Sequence, residues 1–222
     1  MICGSGALAR GLNVNRLAVR GLATSNFSNS LSADLEALKR LKAYFGDDTS
    51  QQRAQTFCDS LHNCIKNNGN VYTTGIGKAG LVAKRFNASL SSIGVPSAWV
   101  HGTEWVHGDL GALKSGDAVI AISHSGKTAE LVGTFPGHLA ARDVKLFAIC
   151  STADSPLGQA ADEVVEAPAS EELLGSVPSR SIVAQEAVCN AILTELVSAT
   201  GYTDTDFGFN HPGGAIGAAI VK

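Results

Sequence analysis

Ser123-His124-Ser125-Gly126-Lys127-Thr128-Ala129-Glu130 follows an apolar run and leads into a helical pattern. Its hydroxyls, on Ser123, Ser125 and Thr128, stand beside a glycine and the free amides of a helix start. Together they form a neutral cradle for a phosphate monoester, because hydroxyls and amides bind its oxygens without the flat surface a nucleotide base needs. An ordinary helix N-cap would account for one of these hydroxyls and not for the others. Glu130, in the first helical turn, either complements the helix dipole or serves as a base beside the phosphate.

A second stretch, Gly75-Ile76-Gly77-Lys78-Ala79-Gly80, has the G-x-G-x-x-G spacing that joins a strand to a helix. A nucleotide P-loop does not fit it, since Ala79 follows Gly77-Lys78 and Tyr72 stands where the first glycine belongs. A dinucleotide site needs an acid about 20 residues on, and that region reads Trp99-Val100-His101, with Glu104 beyond it. No organic cofactor is expected. The turn at Gly75 and Gly77 offers helix-start amides to an anion, and Lys78 adds a cation suited to a phosphate or a developing enediolate oxygen. A third stretch, His101-Gly102-Thr103-Glu104-Trp105-Val106-His107-Gly108-Asp109, holds two histidines and two acids. Its H-x-x-E-x-x-H spacing is not the zinc pattern H-E-x-x-H, so no metal is expected. His107, in a glycine-flanked turn, is either a proton-transfer group or a structural histidine.

These residues need a scaffold. Short β-branched runs at 70–74, 98–100, 118–123, 145–151 and 163–167 read as strands. Helical patterns lie between them at 78–93, 127–141 and 155–161, and a long one at 179–200 ends at Gly201. Before the strands, 32–45 and 48–68 read as helices, the first with Leu31, Leu35, Leu38 and Leu41 along one side. Strand–helix alternation with apolar strands predicts an α/β fold, a parallel sheet covered on both faces. In such a sheet ligands bind beyond the carboxyl ends of the strands, where the strand order reverses. The loops after the first and third strands are therefore where the chemistry belongs.

Composition narrows the class. The 222 residues are 45% hydrophobic and 17% charged, too apolar for disorder. A net charge of −3 disfavours nucleic acid or an anionic membrane as the main partner and leaves a small molecule. Cys3, Cys58, Cys64, Cys150 and Cys189 are scattered without C-x-x-C spacing, which points to a reducing, intracellular compartment. Residues 1–30 carry Arg10, Arg16 and Arg20 and no acid. They read as a leader, either a mitochondrial transit peptide or an unstructured start, and the location is cytoplasmic if no transit peptide is present. Residues 31–222 read as one domain.

Taken in order, G-I-G-K-A-G, H-G-D-L-G, A-I-S-H-S-G-K-T-A-E and F-N-H-P-G-G-A-I-G resemble the sugar isomerase (SIS) domain. The closer likeness is to arabinose-5-phosphate isomerases of the KpsF/GutQ type, over about residues 48–222. The resemblance implies a three-layer α/β/α sandwich with a five-stranded parallel sheet in flavodoxin-like order. It implies a phosphosugar at the hydroxyl loop and a homotetramer with sites shared between subunits. It also implies interconversion of D-arabinose 5-phosphate and D-ribulose 5-phosphate without a cofactor; an isomerase of another sugar phosphate and a non-catalytic phosphosugar-binding module are the alternatives. Lys78, His107 and Glu130 match family positions, and His211 matches the histidine of H-P-G-G. A family glutamate precedes a proline- and hydroxyl-rich turn; here Glu171 is preferred over Glu172, with Ser179 and Ser181 keeping the hydroxyl character. Arg180 departs from the pattern in a way that adds phosphate affinity. In the implied mechanism Lys78 stabilises charge, and Glu130, Glu171, His107 and His211 move protons. The paired CBS modules that often follow in relatives are not in this sequence.

Overall fold

Alternating apolar strands and amphipathic helices build a five-stranded, all-parallel sheet in the order β2-β1-β3-β4-β5. The computed structural model describes residues 27–169 and 171–220. The strands are β1 (Val71–Gly75), β2 (Ser97–His101), β3 (Ala118–Ile122), β4 (Lys145–Cys150) and β5 (Glu163–Glu166). Every residue of β1 and β3 is buried, which explains why they read as unbroken apolar runs. The edge strands β2 and β5 are only partly covered.

Side chains alternate between two cores. On one face Val71, Ile120, Ile122, Phe147 and Ile149 meet α2 (Asp48–Lys66), α3 (Gly77–Ser92) and α7 (Arg180–Thr200). On the other face Tyr72, Val119, Ala121 and Leu146 meet Trp105, α4 (Ala129–Val132), α5 (Phe135–Ala140) and α6 (Pro156–Ala160). The three-layer sandwich is thus as expected. α7 is long and apolar enough to cross a membrane by length and composition alone; its buried Ala184, Val188, Cys189, Ile192 and Leu196 face the core. It stops at Gly201, whose left-handed φ of 67° closes the helix.

Three features depart from the sequence reading. The helix expected over 127–141 is two helices, because Gly133 leaves helical geometry at ψ −119° and Pro136 starts α5 afresh. Two helices, α8 (Asp204–Asn210) and α9 (Ala215–Ile220), follow α7. The capping box between Thr203 and Asp206 is the sequence signal for the first of them. Finally, α1 (Phe27–Tyr44) starts within the segment set apart as a leader; the rest of that leader lies outside the described residues. α1 lies against α7 and buries Ala37 and Leu41. Of the leucine row only Leu41 is buried; Leu31, Leu35 and Leu38 stay exposed.

Candidate active site

In the register of the central strands Gly75 pairs with Ile122, so the loops after β1 and β3 leave the sheet side by side. Between them the strand order reverses. An open cavity of about 410 Å³ lies there, lined by the start of α3, the loop after β3 and the first turns of α7. Gly75 lets the strand and helix come this close: a Cβ on it would lie 2.9 Å from the Ile122 carbonyl oxygen and 3.0 Å from Gly80 Cα. α3 begins at Gly77 with no side-chain cap, so its first amides remain open to a ligand beside Ile76, Lys78 and Ala79.

The second wall is the hydroxyl loop. Ser123, His124, Ser125 and Thr128 all line the cavity. Ser123 Oγ and Thr128 Oγ1 lie 2.8 Å apart, and Ser125 Oγ accepts from the Lys127 amide at 3.2 Å. Gly126 turns the loop at φ 59°, where a Cβ would collide with Ser155 Oγ, so only glycine fits. The cradle is therefore locked against the β4 side of the sheet, and Leu157 donates its amide to the Gly126 carbonyl at 2.9 Å.

α7 and the turn before it form the third wall, with Glu172, Ser181, Ile182 and Gln185. Glu172 holds the start of α7. Its carboxylate accepts from the amides of Ser179 at 2.7 Å, Arg180 at 2.9 Å and Ser181 at 3.3 Å, and from Ser179 Oγ at 2.9 Å. Burial raises the pKa of this carboxyl, but the hydrogen bonds from Ser181, Ser179 and Arg180 outweigh it and hold Glu172 below the ordinary glutamate value. An ion pair between Arg85 of α3 and Glu186 of α7 ties two of the walls together.

Of the residues expected to act, the structure brings Lys78, Ser123, Ser125, Thr128 and Ser181 around one cavity. Glu171 is not among them: it is exposed, and the adjacent Glu172 is the carboxylate on the cavity. The hairpin-like bridge between Leu173 and Val177 turns the chain back on itself and delivers Glu172 to α7. Arg180, expected to add phosphate affinity, is absent from the cavity lining, and its guanidinium is held 3.2 Å from Asp34 of α1. Ser179 supports Glu172 and lies outside the cavity lining, as do Gly75 and Gly77.

The remaining proton-transfer candidates stand apart from this cavity. Glu130 and His107 are exposed. The loop carrying His107 is anchored by the fully buried Trp105, whose Nε1 donates to Thr74 Oγ1 at 2.9 Å. His211 caps α8, with Nδ1 2.8 Å from the Phe207 carbonyl and its ring stacked on Phe207 at 3.9 Å. The lining residues that the sequence reading missed include two with polar side chains set among the expected ones, His124 between the serines and Gln185, one turn beyond Ser181 on α7. Cys58, Cys64, Cys150 and Cys189 are buried and unpaired. Burial pushes Cys58 and Cys189 up to about 12, so neither is a thiolate at neutral pH. Among the described residues no cluster of histidine, cysteine or acid side chains could hold a metal.

Comparison with known proteins agrees with this architecture. The SIS domain family matches residues 64–195. The arabinose 5-phosphate isomerase KdsD of Pseudomonas aeruginosa is 33% identical over 194 residues, 86% of this chain and 57% of that protein. GutQ of Salmonella typhi, also named an arabinose 5-phosphate isomerase, is 34% identical over 195 residues, 87% of this chain and 58% of its own length. The chain thus spans 57% of the first of these relatives and 58% of the second. Among solved structures, Escherichia coli CFT073 c3406 in complex with arabinose 5-phosphate superposes with a TM-score of 0.73 at 32% identity, covering 85% of this chain and all of that one. A Listeria monocytogenes structure reaches 0.75 at 23% identity over 84% of this chain and 94% of its own, a likeness of fold. A family match over more than half of the sequence and relatives above 30% identity over most of it make this chain a member of the SIS domain family.

Proposed function

We propose that this chain is a sugar-phosphate aldose–ketose isomerase that interconverts D-arabinose 5-phosphate and D-ribulose 5-phosphate. The observation that carries the reading is the convergence of Lys78 with Ser123, Ser125, Thr128 and Ser181 on one cavity at the reversal of strand order. The hydroxyls bind the phosphate and fix the far end of the substrate, which turns binding energy into orientation at the reacting carbons. A base removes the hydrogen on one of the two adjacent carbons, and an enediolate forms. Reprotonation at the neighbouring carbon, with an accompanying shift of the oxygen-bound proton, completes an isomerisation that needs no redox partner. Lys78 places positive charge where the enediolate oxygen develops. Glu172, fully engaged by amides, keeps α7 in place as the cavity wall.

Proton transfer falls to Glu130, His107 and His211, which lie outside one chain's cavity and are supplied in this reading by neighbouring copies of a homotetramer. Exposed apolar side chains beside both histidines, Val106 and Phe209, support such an assembly, as does the row Phe27, Leu31, Leu35 and Leu38 along α1. Completion of the cradle within one chain, without these groups, favours a second reading, a phosphosugar-binding module that does no chemistry.

Proton NMR in D₂O with D-ribulose 5-phosphate tests both. An isomerase yields arabinose 5-phosphate deuterated at C2 and a ketose exchanged at C1. Binding with neither product nor exchange at high protein concentration removes the isomerase reading and leaves the module. Turnover of a different sugar phosphate alone would change the substrate and keep the chemistry.

A further inference from the structure

We propose that Gln185 reads the sugar in this cavity, its carboxamide hydrogen-bonding an oxygen of the sugar chain while the hydroxyl loop holds the phosphate. The inference rests on the phosphosugar reading above. Gln185 is 0% exposed and lines the cavity. Neither its Oε1 nor its Nε2 has a hydrogen-bond partner among the described residues. A buried amide in that condition disfavours folding, and native proteins keep such groups where something else satisfies them. Packing does not require it: the neighbouring core positions of α7 are Ala184, Val188 and Cys189, and an apolar side chain of similar length suits the same wall.

Position and chemistry identify what it meets. Gln185 lies four residues after Ser181, hence on the same face of α7 and about 6 Å further along the axis. That wall presents a hydroxyl and then an amide, opposite the cradle at Ser123 and Thr128. A phosphate at neutral pH mainly accepts hydrogen bonds and would leave Oε1 unmatched. Sugar hydroxyls both donate and accept, so the polyol of a phosphosugar can match both ends of the carboxamide. The structure therefore assigns Gln185 to the polyol portion of the ligand, as a determinant of which sugar is held.

The experiment compares wild type with Gln185→Met and Gln185→Leu. Affinities for D-arabinose 5-phosphate and for inorganic phosphate are measured by calorimetry, with melting temperatures of the ligand-free proteins alongside. Both variants should melt at or above the wild-type temperature and bind inorganic phosphate within about twofold of it. Their affinity for arabinose 5-phosphate should fall by about 10- to 100-fold, the consequence of losing a buried hydrogen-bond partner. Three results would each overturn the assignment: sugar-phosphate affinity within about twofold of wild type, equal losses for sugar phosphate and phosphate, or a lowered melting temperature in both variants. Wild-type binding without turnover would sink the isomerase reading alone, and the ratio between the two ligands would still decide the role of Gln185.

Discussion

Glu172 gives the sharpest test of how the cavity is built. Four donors converge on its carboxylate, including the first three amides around the start of α7. Ser179, at the N-cap position, makes no side-chain cap of its own, so Glu172 does the capping from outside the helix. Loss of a cap costs about 0.5–2 kcal/mol, and loss of a negative charge at a helix start about 0.3–1 kcal/mol. The site is partly solvated, which puts Glu172→Ala near 1–2 kcal/mol in total. For a chain of this size that is a fall of roughly 3–6 °C in melting temperature. Glu172→Gln keeps an acceptor and should lose about half as much, while Glu171→Gln, on the exposed neighbour, should change little. The pH dependence has a definite sign. Because the folded carboxyl titrates below its ordinary value of 4.5, its contribution is complete above 4.5 and disappears as pH falls through the lower folded value. Melting curves by circular dichroism from pH 3.5 to 8, at one protein concentration, should show wild type and Glu172→Gln separated at neutral pH and converging in acid. A gap that stays constant or widens in acid, or a larger loss in Glu171→Gln than in Glu172→Gln, would refute the argument.

Three further perturbations probe other parts of the site. Gly126→Ala must adopt a left-handed φ and push against Ser155, so urea titration should show a loss of about 2–4 kcal/mol, together with weaker inhibition by inorganic phosphate. Lys78→Met and His107→Ala should each lower turnover by at least ~10²-fold, with melting temperatures near wild type because both side chains are exposed; normal turnover in both would remove them from the mechanism. Trp105→Phe removes the donor to Thr74 Oγ1 at the end of β1 and should cost about 1–2 kcal/mol by chemical denaturation.

The sheet was legible because its physics is periodic. Five residues of continuous apolar character, such as Ala118–Ile122, have one role in a sheet covered on both faces, and a glycine-rich turn after such a run leads into a helix. The hydroxyl loop was legible for a related reason, since Ser123, Ser125 and Thr128 lie within six residues of one another and any compact turn keeps them together. The choice between Glu171 and Glu172 was different in kind. Adjacent residues with the same side chain are separated only by direction, and direction here is set by the reversal between Leu173 and Val177, which no short-range pattern encodes. The break in the helix over 127–141 turned on Gly133, a residue that a helix tolerates at modest cost unless tertiary contacts favour leaving it.

Gln185 shows why a site's specificity is harder to read than its fold. In sequence it is one of several polar residues in α7, beside Glu186 and near Asn190, and nothing local sets it apart from them. Its meaning arises only when β1 and β3 are in register, because that register sets α3 and the hydroxyl loop side by side and turns the start of α7 into the third wall. Local residue types thus suffice to propose a phosphate, whose recognition needs only a few donors on one turn. In the proposed reading, recognition of the sugar draws on α7, which sits far from that turn along the chain and reaches it through the core it shares with α2 and α3. If the proposed reading holds, the fold is the instrument by which a phosphate site becomes a site for one phosphosugar, and the buried amide of Gln185, without a protein partner among the described residues, is the mark it leaves.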